Sequence, residues 1–257
     1  MNEAVIVAGA RTAQGKFAGG LKSFSAPQLG GIVIREATKQ AGLKPIDIDE
    51  AIMGNVVQAG LGQNVARQAA INAGLPYEIG AFHVDKVCGS SLKAVVLATQ
   101  AIKLGDADCI VAGGMESMTN CPYILDKARF GFRMFDGKII DSMVHDGLWD
   151  VYNDFHMGHT GEIIAERNNI TRQDCDEFAA LSQQKAEKAT KNGSFKKEII
   201  PIEIKQKKDN TIIFDKDEGI REGTTVKNLA KLKPFFKKDG VGFVTNSVTC
   251  SIEQFEF

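Results

Sequence analysis

Residues 81–112 read AFHVDKVCGSSLKAVVLATQAIKLGDADCIVA, and the fold turns on them. Ala81 to Val87 is a short run with strand character. Cys88-Gly89-Ser90-Ser91 follows at once, and then comes a helical pattern with Leu92, Val95, Val96, Thr99 and Ile102 on one face. Cys109 to Ala112 is uninterrupted and apolar, the texture of a strand buried on both faces of a parallel sheet. One unit of strand, helix and strand predicts a right-handed crossover. Upstream the same alternation repeats. Ala51 to Val57 reads as a strand, and Asn64 to Ala73 as a helix stopped by Gly74. Ala4 to Gly9 reads as the opening strand. From Ser25, a capping residue followed by Pro27 in the first turn, a helix is predicted with Leu29, Ile32, Val33 and Ala37 as its stripe, ending near Gly42. The β-α-β-α-β-α-β order places the chain in the α/β class, as a layered α-β-α domain.

Beyond Gly113-Gly114 the texture changes. Residues 120 to about 157 read as loop, rich in Gly, Asp, Met and Phe and holding the single Trp149. A helix is predicted from Gly158 to Asn168. A second runs from Thr171, with Asp174 in the capping-box position, to Gly193. Ile199 to Lys205 and Thr211 to Phe214, separated by Asp209-Asn210, predict a hairpin. The division that follows is a sheet domain over 1–119, a mixed α+β domain over 120–240, and a tail over 241–257.

Composition bounds the function. The 257 residues are 44% hydrophobic and 25% charged, with a formal net charge of -1, ordinary for a globular chain. That balance gives no reason to expect nucleic acid or an anionic membrane as partner. No run is expected to approach the length of a membrane span, and the N-terminus lacks the basic lead of a signal peptide. The five cysteines, at 88, 109, 121, 175 and 250, are odd in number and include no CxxC, so a disulfide framework or zinc ribbon is not expected and a reducing cytoplasm is.

Among them Cys88 stands out. A strand turning into a helix there puts its sulfur at a helix N-terminus, beside backbone N–H groups that favour thiolate over thiol. An ordinary thiol, with a pKa of about 8.5, is only about 3% ionised at pH 7, so each unit of depression raises the reactive fraction up to about tenfold. The bland alternative is a buried structural cysteine.

Val87-Cys88-Gly89-Ser90-Ser91-Leu92-Lys93-Ala94, preceded by Asp85-Lys86, is similar to the nucleophile motif of the thiolases. Val7-Ala8-Gly9-Ala10-Arg11-Thr12 resembles that family's opening strand and turn, and Ala112-Gly113-Gly114-Met115-Glu116-Ser117-Met118 the strand closing its first half-sheet. Leu148-Trp149-Asp150, His156-Met157-Gly158, Ile220-Arg221-Glu222-Gly223-Thr224 and Leu232-Lys233-Pro234 resemble successive stretches of its loop domain. The likeness runs in order from Met1 to about Gly240. It implies a sheet domain repeated twice in a full chain, with a loop domain that cradles coenzyme A. It also implies an acyl-Cys88 intermediate, formed from an acyl-CoA and passed to the carbanion of acetyl-CoA, or the reverse cleavage of a 3-ketoacyl-CoA. Leu148, His156, Met157, Arg221 and Phe236 would line the coenzyme A channel. Coenzyme A thioesters enter as substrates, with no permanently bound cofactor, and the complete form is expected to be a homo-oligomer, a dimer or tetramer.

Two residues depart from the pattern. Asp85 stands where the family usually has asparagine, and a negative charge close to a thiol raises its pKa. Ser91 stands where glycine is usual and fills space near the acyl group. After Gly240 the likeness stops. The family continues into a second half that supplies a Gly-His-Pro histidine to activate the nucleophile and a cysteine in Cys-x-Gly-Gly-Gly to handle the α-proton. His83, His145, His156 and His159 lie in no such motif, and Cys250 has no glycines after it. A frameshift after Gly240 is the expected cause, and turnover by the fragment is expected to collapse, since one oxyanion donor alone is often worth about 3 kcal/mol.

Asp154, His156, His159 and Glu162 have metal-like spacing, but His156 precedes the helix that carries the others, so no metal is expected. Gly60-Leu61-Gly62-Gln63-Asn64-Val65 lacks the last glycine of a dinucleotide fingerprint. Lys196-Lys197, Lys205 to Lys208 and Lys237-Lys238 read as solvated faces, or as a hold on coenzyme A phosphates. Two other functions stay open at this point: a non-catalytic fragment that binds coenzyme A or pairs with full-length subunits, and a condensing enzyme of the ketoacyl synthase kind.

Overall fold

The structure, a computed structural model, describes residues 2–206 and 210–237. Asp209 of the predicted hairpin turn, Lys207, Lys208, Lys238, Gly240 and the tail 241–257 with Cys250 lie outside the described residues.

The chain opens with β1 (Arg11–Thr12), α1 (Ala26–Gln40), β2 (Glu50–Gly54), α2 (Val65–Ala73), β3 (Gly80–Val84), α3 (Ser90–Leu104) and β4 (Ile110–Gly114). β2, β3 and β4 form a parallel sheet in the order β3-β2-β4. The step from β2 to β3 goes one way along the sheet and the step from β3 to β4 goes back across β2. Crossovers of one hand must then lie on opposite faces, and they do. Ala51 and Met53 of β2 point into a core shared with α1 and α2, while Ile52 between them packs on Ala94 and Ala98 of α3. This is the α-β-α layering that the alternation predicts.

Small residues set the spacing of the layers. A Cβ on Gly31 of α1 would stand 2.6 Å from Cβ of Asn72 and 3.2 Å from the Ala69 carbonyl oxygen, so α1 and α2 touch almost backbone to backbone. The buried stripe of α1 is therefore Ala26, Pro27, Leu29, Gly30, Gly31, Ile34 and Thr38; of the predicted residues Leu29 is buried and Ile32 packs partly buried on a second cluster, while Val33 and Ala37 are corrected. α3 is corrected in the same way. Its buried residues are Ser90, Ala94 and Ala98, and Leu92 is 70% exposed. The cause is at the sheet: a Cβ on Gly54 would lie 2.5 Å from the Ser91 nitrogen, so only a face of small side chains can come so near.

Two further expectations are overturned. Residues 4–9 form no strand among the described residues; with no partner beside them, Val5, Ile6 and Val7 stand 69%, 85% and 69% exposed. The pairing falls instead on Arg11–Thr12, held parallel to a later segment. Also, Val87–Leu104 is long and apolar enough to cross a membrane by length and composition, with mean hydropathy 1.2 over 18 residues. In the fold this segment supplies the α3 layer on the sheet, through Ala94 and Ala98.

The second part holds more structure than its loop-like composition suggests: β5 (Tyr123–Ile124), β6 (Ile140–Asp141), α4 (Ser142–Gly147), β7 (Trp149–Asp150) and β8 (Phe155–His156), with β5 paired to β6 and β7 to β8. These pairs are two residues long, too short to leave a period in the sequence. α5 (Met157–Arg167) and α6 (Arg172–Lys191) follow, and Thr171 and Asp174 form the predicted capping box. β9 (Ile199–Ile200) pairs with β1, β10 (Ile202–Lys205) pairs with β11 (Thr211–Phe214), and α7 is Val226–Leu229. Pro201, lacking an N–H, separates β9 from β10 in what reads as one strand. Arg11 fastens this part to the first: its guanidinium donates to Asp217 at 2.7 and 3.0 Å and to Glu198 at 2.8 Å.

Candidate active site

Each of the three parallel strands ends at one cavity. Gly54 to Val57 arrive from β2, Val87, Cys88, Ser90 and Ser91 from β3, and Met115, Glu116 and Met118 from β4. Ligands of open α/β sheets bind outside the carboxyl ends of the strands. Gly147, Leu148 and Met157 complete the lining, and the cavity is about 190 Å³.

Cys88 is exposed at the turn into α3. Val87 before it has φ +48°, in the left-handed region that a β-branched residue rarely enters. Local bonds hold it there: the Val87 N–H donates to Asp85 Oδ1 at 2.8 Å, and Ser90 Oγ donates to the Val87 carbonyl at 2.6 Å while accepting from the Lys86 N–H at 2.8 Å. Asp85, expected to act on the thiol through its charge, thus has a structural task in the turn. One expectation needs correction. The N–H groups of Gly89 and Ser90 are not open beside the sulfur; they donate to the carbonyls of Lys86 at 3.1 Å and Val87 at 3.0 Å. The tight turn that projects Cys88 consumes them.

Two polar residues of the cavity escape the sequence reading. Glu116 is buried, with its Oε2 accepting from the Val56 N–H at 2.8 Å and the Val57 N–H at 3.4 Å, and its Oε1 accepting from Asn55 Nδ2 at 2.9 Å. Burial pushes its carboxyl up to about 7; the donors pull the other way, and the Asp85 charge adds to the rise. Asn55 was read as the interior of a strand that in fact ends at Gly54. A charged or amide residue directly after a buried parallel strand is the signal that could have found both.

Of the residues proposed for the coenzyme A channel, Leu148 and Met157 share the cavity with Cys88. His156 and Phe236 stack on each other, ring centroids 5.0 Å apart and planes at 24°, next to Met157. His156 Nδ1 accepts from the Gly158 N–H at 3.0 Å, and burial followed by the nearby His159 holds its pKa below the usual value. Arg221 lies outside this group. It sits on the loop after β11, where its backbone N–H donates to Gln183 Oε1 of α6 at 2.8 Å. His159 packs edge-on against Phe236, its Nδ1 buried without a hydrogen-bond partner among the described residues, and Asp154 accepts from Trp149 Nε1 at 3.1 Å. Lys237 pairs with Glu166.

These residues assemble a parallel α/β domain with an exposed cysteine beside a cavity at its strand ends. The profile of the thiolase N-terminal domain matches residues 4–254, past the Gly240 at which the motif likeness was read to stop. An acetyl-CoA acetyltransferase of Cupriavidus necator is 51% identical over 247 residues, 96% of this chain and 63% of that protein. One from Pseudomonas aeruginosa is 54% identical over 240 residues, 93% of this chain and 61% of that protein. The crystal structure of the Bacillus anthracis acetyl-CoA acetyltransferase superposes with a TM-score of 0.92 at 38% identity, covering 96% of this chain and 62% of that one. The chain belongs to the thiolase family, which sets aside the ketoacyl synthase reading. It spans about three fifths of the length of these relatives.

Proposed function

We propose that Cys88 is the acyl-accepting nucleophile of a coenzyme A-dependent acyltransferase, and that this chain carries the nucleophile half of its site. One observation carries the reading: an exposed cysteine on a turn that holds Val87 at positive φ, opening on an apolar cavity shared with Leu148 and Met157. The Cys88 thiolate attacks the thioester carbonyl. A carbon–sulfur bond forms to the protein, the bond to the coenzyme A sulfur breaks, and the departing thiolate takes a proton from solvent. A base, which the family resemblance places in the second half, takes the α-proton of acetyl-CoA; the carbanion attacks the acyl carbon, a carbon–carbon bond forms and the bond to Cys88 Sγ breaks. The apolar wall suits methylene groups of an arm laid along it, and the His156–Phe236 stack offers a planar surface beyond. Arg221 suits a phosphate at a greater distance from the reacting sulfur.

The four described cysteines are all free, which supports the cytoplasm as compartment. Exposed Phe130, Met134 and Phe135 on one surface loop support a homo-oligomer as the complete form.

The test is incubation with labelled acetyl-CoA, an acid quench and peptide mapping. Label on the Cys88 peptide, absent in Cys88→Ser, is expected. A wild-type peptide without label, under conditions where iodoacetamide still reaches Cys88, would sink the nucleophile assignment and leave at most a coenzyme A-binding module.

A further inference from the structure

One buried atom of the cavity has its orientation fixed and its bonding incomplete. Asn55 is 1% exposed. Its Nδ2 donates to the Met115 carbonyl at 2.9 Å and to Glu116 Oε1 at 2.9 Å, which uses both hydrogens. Turning the amide over would set Oδ1 against those two acceptors, so the assignment of nitrogen and oxygen follows from the partners. The backbone is satisfied as well, with the N–H donating to the Val84 carbonyl at 3.3 Å and the carbonyl accepting from Gln58 Nε2 at 3.2 Å. Oδ1 alone is left, buried and without a hydrogen-bond partner among the described residues. Buried acceptors are rarely left so. Glu116 already accepts from Asn55, Val56 and Val57.

The position of Asn55 says which donor it suits. Gly54, directly before it, lies against the start of α3, where a Cβ would meet the Ser90 carbonyl carbon at 2.6 Å and the Ser91 nitrogen at 2.5 Å. Asn55 is thus at the Cys88 end of the cavity that Leu148 and Met157 also line. The reacting end of a coenzyme A thioester offers only acceptors, its carbonyl oxygen and its sulfur. Its first donor is the amide N–H two carbons beyond the sulfur.

Resting on the function proposed above, we propose that Asn55 Oδ1 accepts the hydrogen bond of that first pantetheine amide, which makes Asn55 a substrate-binding residue set by Glu116 and the Met115 carbonyl. The bond orients the arm so that the thioester carbon faces Cys88.

Two inert probes test this on the 257-residue chain: S-methylpantetheine, and its analogue with an ester oxygen in place of that amide N–H. Each is titrated as a protectant of Cys88 against iodoacetamide, with S-methyl-coenzyme A as reference. The ester sets an acceptor against an acceptor, so protection by it should be about tenfold weaker or worse. In Asn55→Ala the ratio should fall to about one. Equal effect of the two probes on the wild type, including no effect from either, while S-methyl-coenzyme A protects, overturns the inference and leaves the coenzyme A reading standing. If S-methyl-coenzyme A fails too, both fall. A ratio that persists in a folded Asn55→Ala also overturns it, since the discrimination then lies elsewhere. The wild-type comparison decides by itself if that variant does not fold.

Discussion

Raising the pH from 4.5 to 8 should weaken the fold through one residue, Glu116. Its carboxyl, ordinarily at 4.5, is pushed up to about 7 by burial, the largest cause, with Asp85 adding to the rise and the Val56, Val57 and Asn55 donors opposing it. A carboxyl raised on folding binds its proton more tightly in the native state, so its contribution is whole below 4.5 and is lost as the pH climbs through about 7. The gap between those values, at about 1.4 kcal/mol per pH unit, sets a ceiling of about 3 kcal/mol, a large share of the stability of a typical domain. His156 acts in the opposite sense: its pKa is held low, by burial first and then by His159, so its contribution is lost as the pH falls below 6.5. The comparison that isolates Glu116 is therefore wild type against Glu116→Gln. Urea unfolding followed by circular dichroism at intervals from pH 4.5 to 8 gives both curves. The wild type should lose up to about 3 kcal/mol relative to the variant across that window. Glutamine also sets an amide nitrogen against a donor, so the variant is offset at every pH, but the offset does not depend on pH. Parallel curves would refute the argument, because they would mean that Glu116 keeps an ordinary carboxylate in its bed of three donors.

Four further outcomes follow from named contacts. Arg172→Ala should cost about 3–5 kcal/mol in the same unfolding assay, since it strands the buried Asp176 carboxylate and takes a donor from the Leu229 and Leu232 carbonyls, now at 2.8 and 3.0 Å. Gly31→Ala gains helix propensity yet should destabilise by about 1–3 kcal/mol, because its Cβ would meet Asn72 and the Ala69 backbone. Gly158→Ala puts a Cβ into the Phe236 ring and should displace it from His156; weaker retention on immobilised coenzyme A, with Cys88 alkylation unchanged, is the expected pair of readings. At pH 8 iodoacetamide should modify Cys88 well before Cys121, whose thiol is pushed up to about 12 by burial first and then by Glu116, Asp141 and Asp146; peptide mapping reads the order.

The layered fold was legible because its signals are long. The alternation from Ala51 to Gly114 carries three strands and two helices, and each appears within a few residues of its expected place. What failed was which face of a helix is buried. Periodicity assigns the larger apolar residues inward, but α1 and α3 turn their small residues to neighbours that come too near for anything else, as Gly31 does against Asn72 and Ala94 against Ile52. The site was legible at Cys88, where one residue sits at a junction of two strong patterns. Asn55 and Glu116 were not, because their roles depend on β2 and β4 being neighbours in the sheet, and nothing in either local stretch says so. The opening strand failed for a related reason: an apolar run such as Val5 to Val7 states a preference, and only a partner edge turns it into a strand.

The local geometry also bears on how Cys88 is activated. The nearest N–H groups, on Gly89 and Ser90, are spent on closing the turn, so they are not the donors that steady a thiolate. What α3 still offers is the field of a 15-residue helix at its positive end, worth about 0.3–1 kcal/mol for an exposed charge. The other described cysteines, Cys109, Cys121 and Cys175, have thiols raised first by burial and then by carboxylates around them. Cys88 is set apart from these by exposure and by the strained turn that presents it, and the fold's contribution to that sulfur is its outward aim.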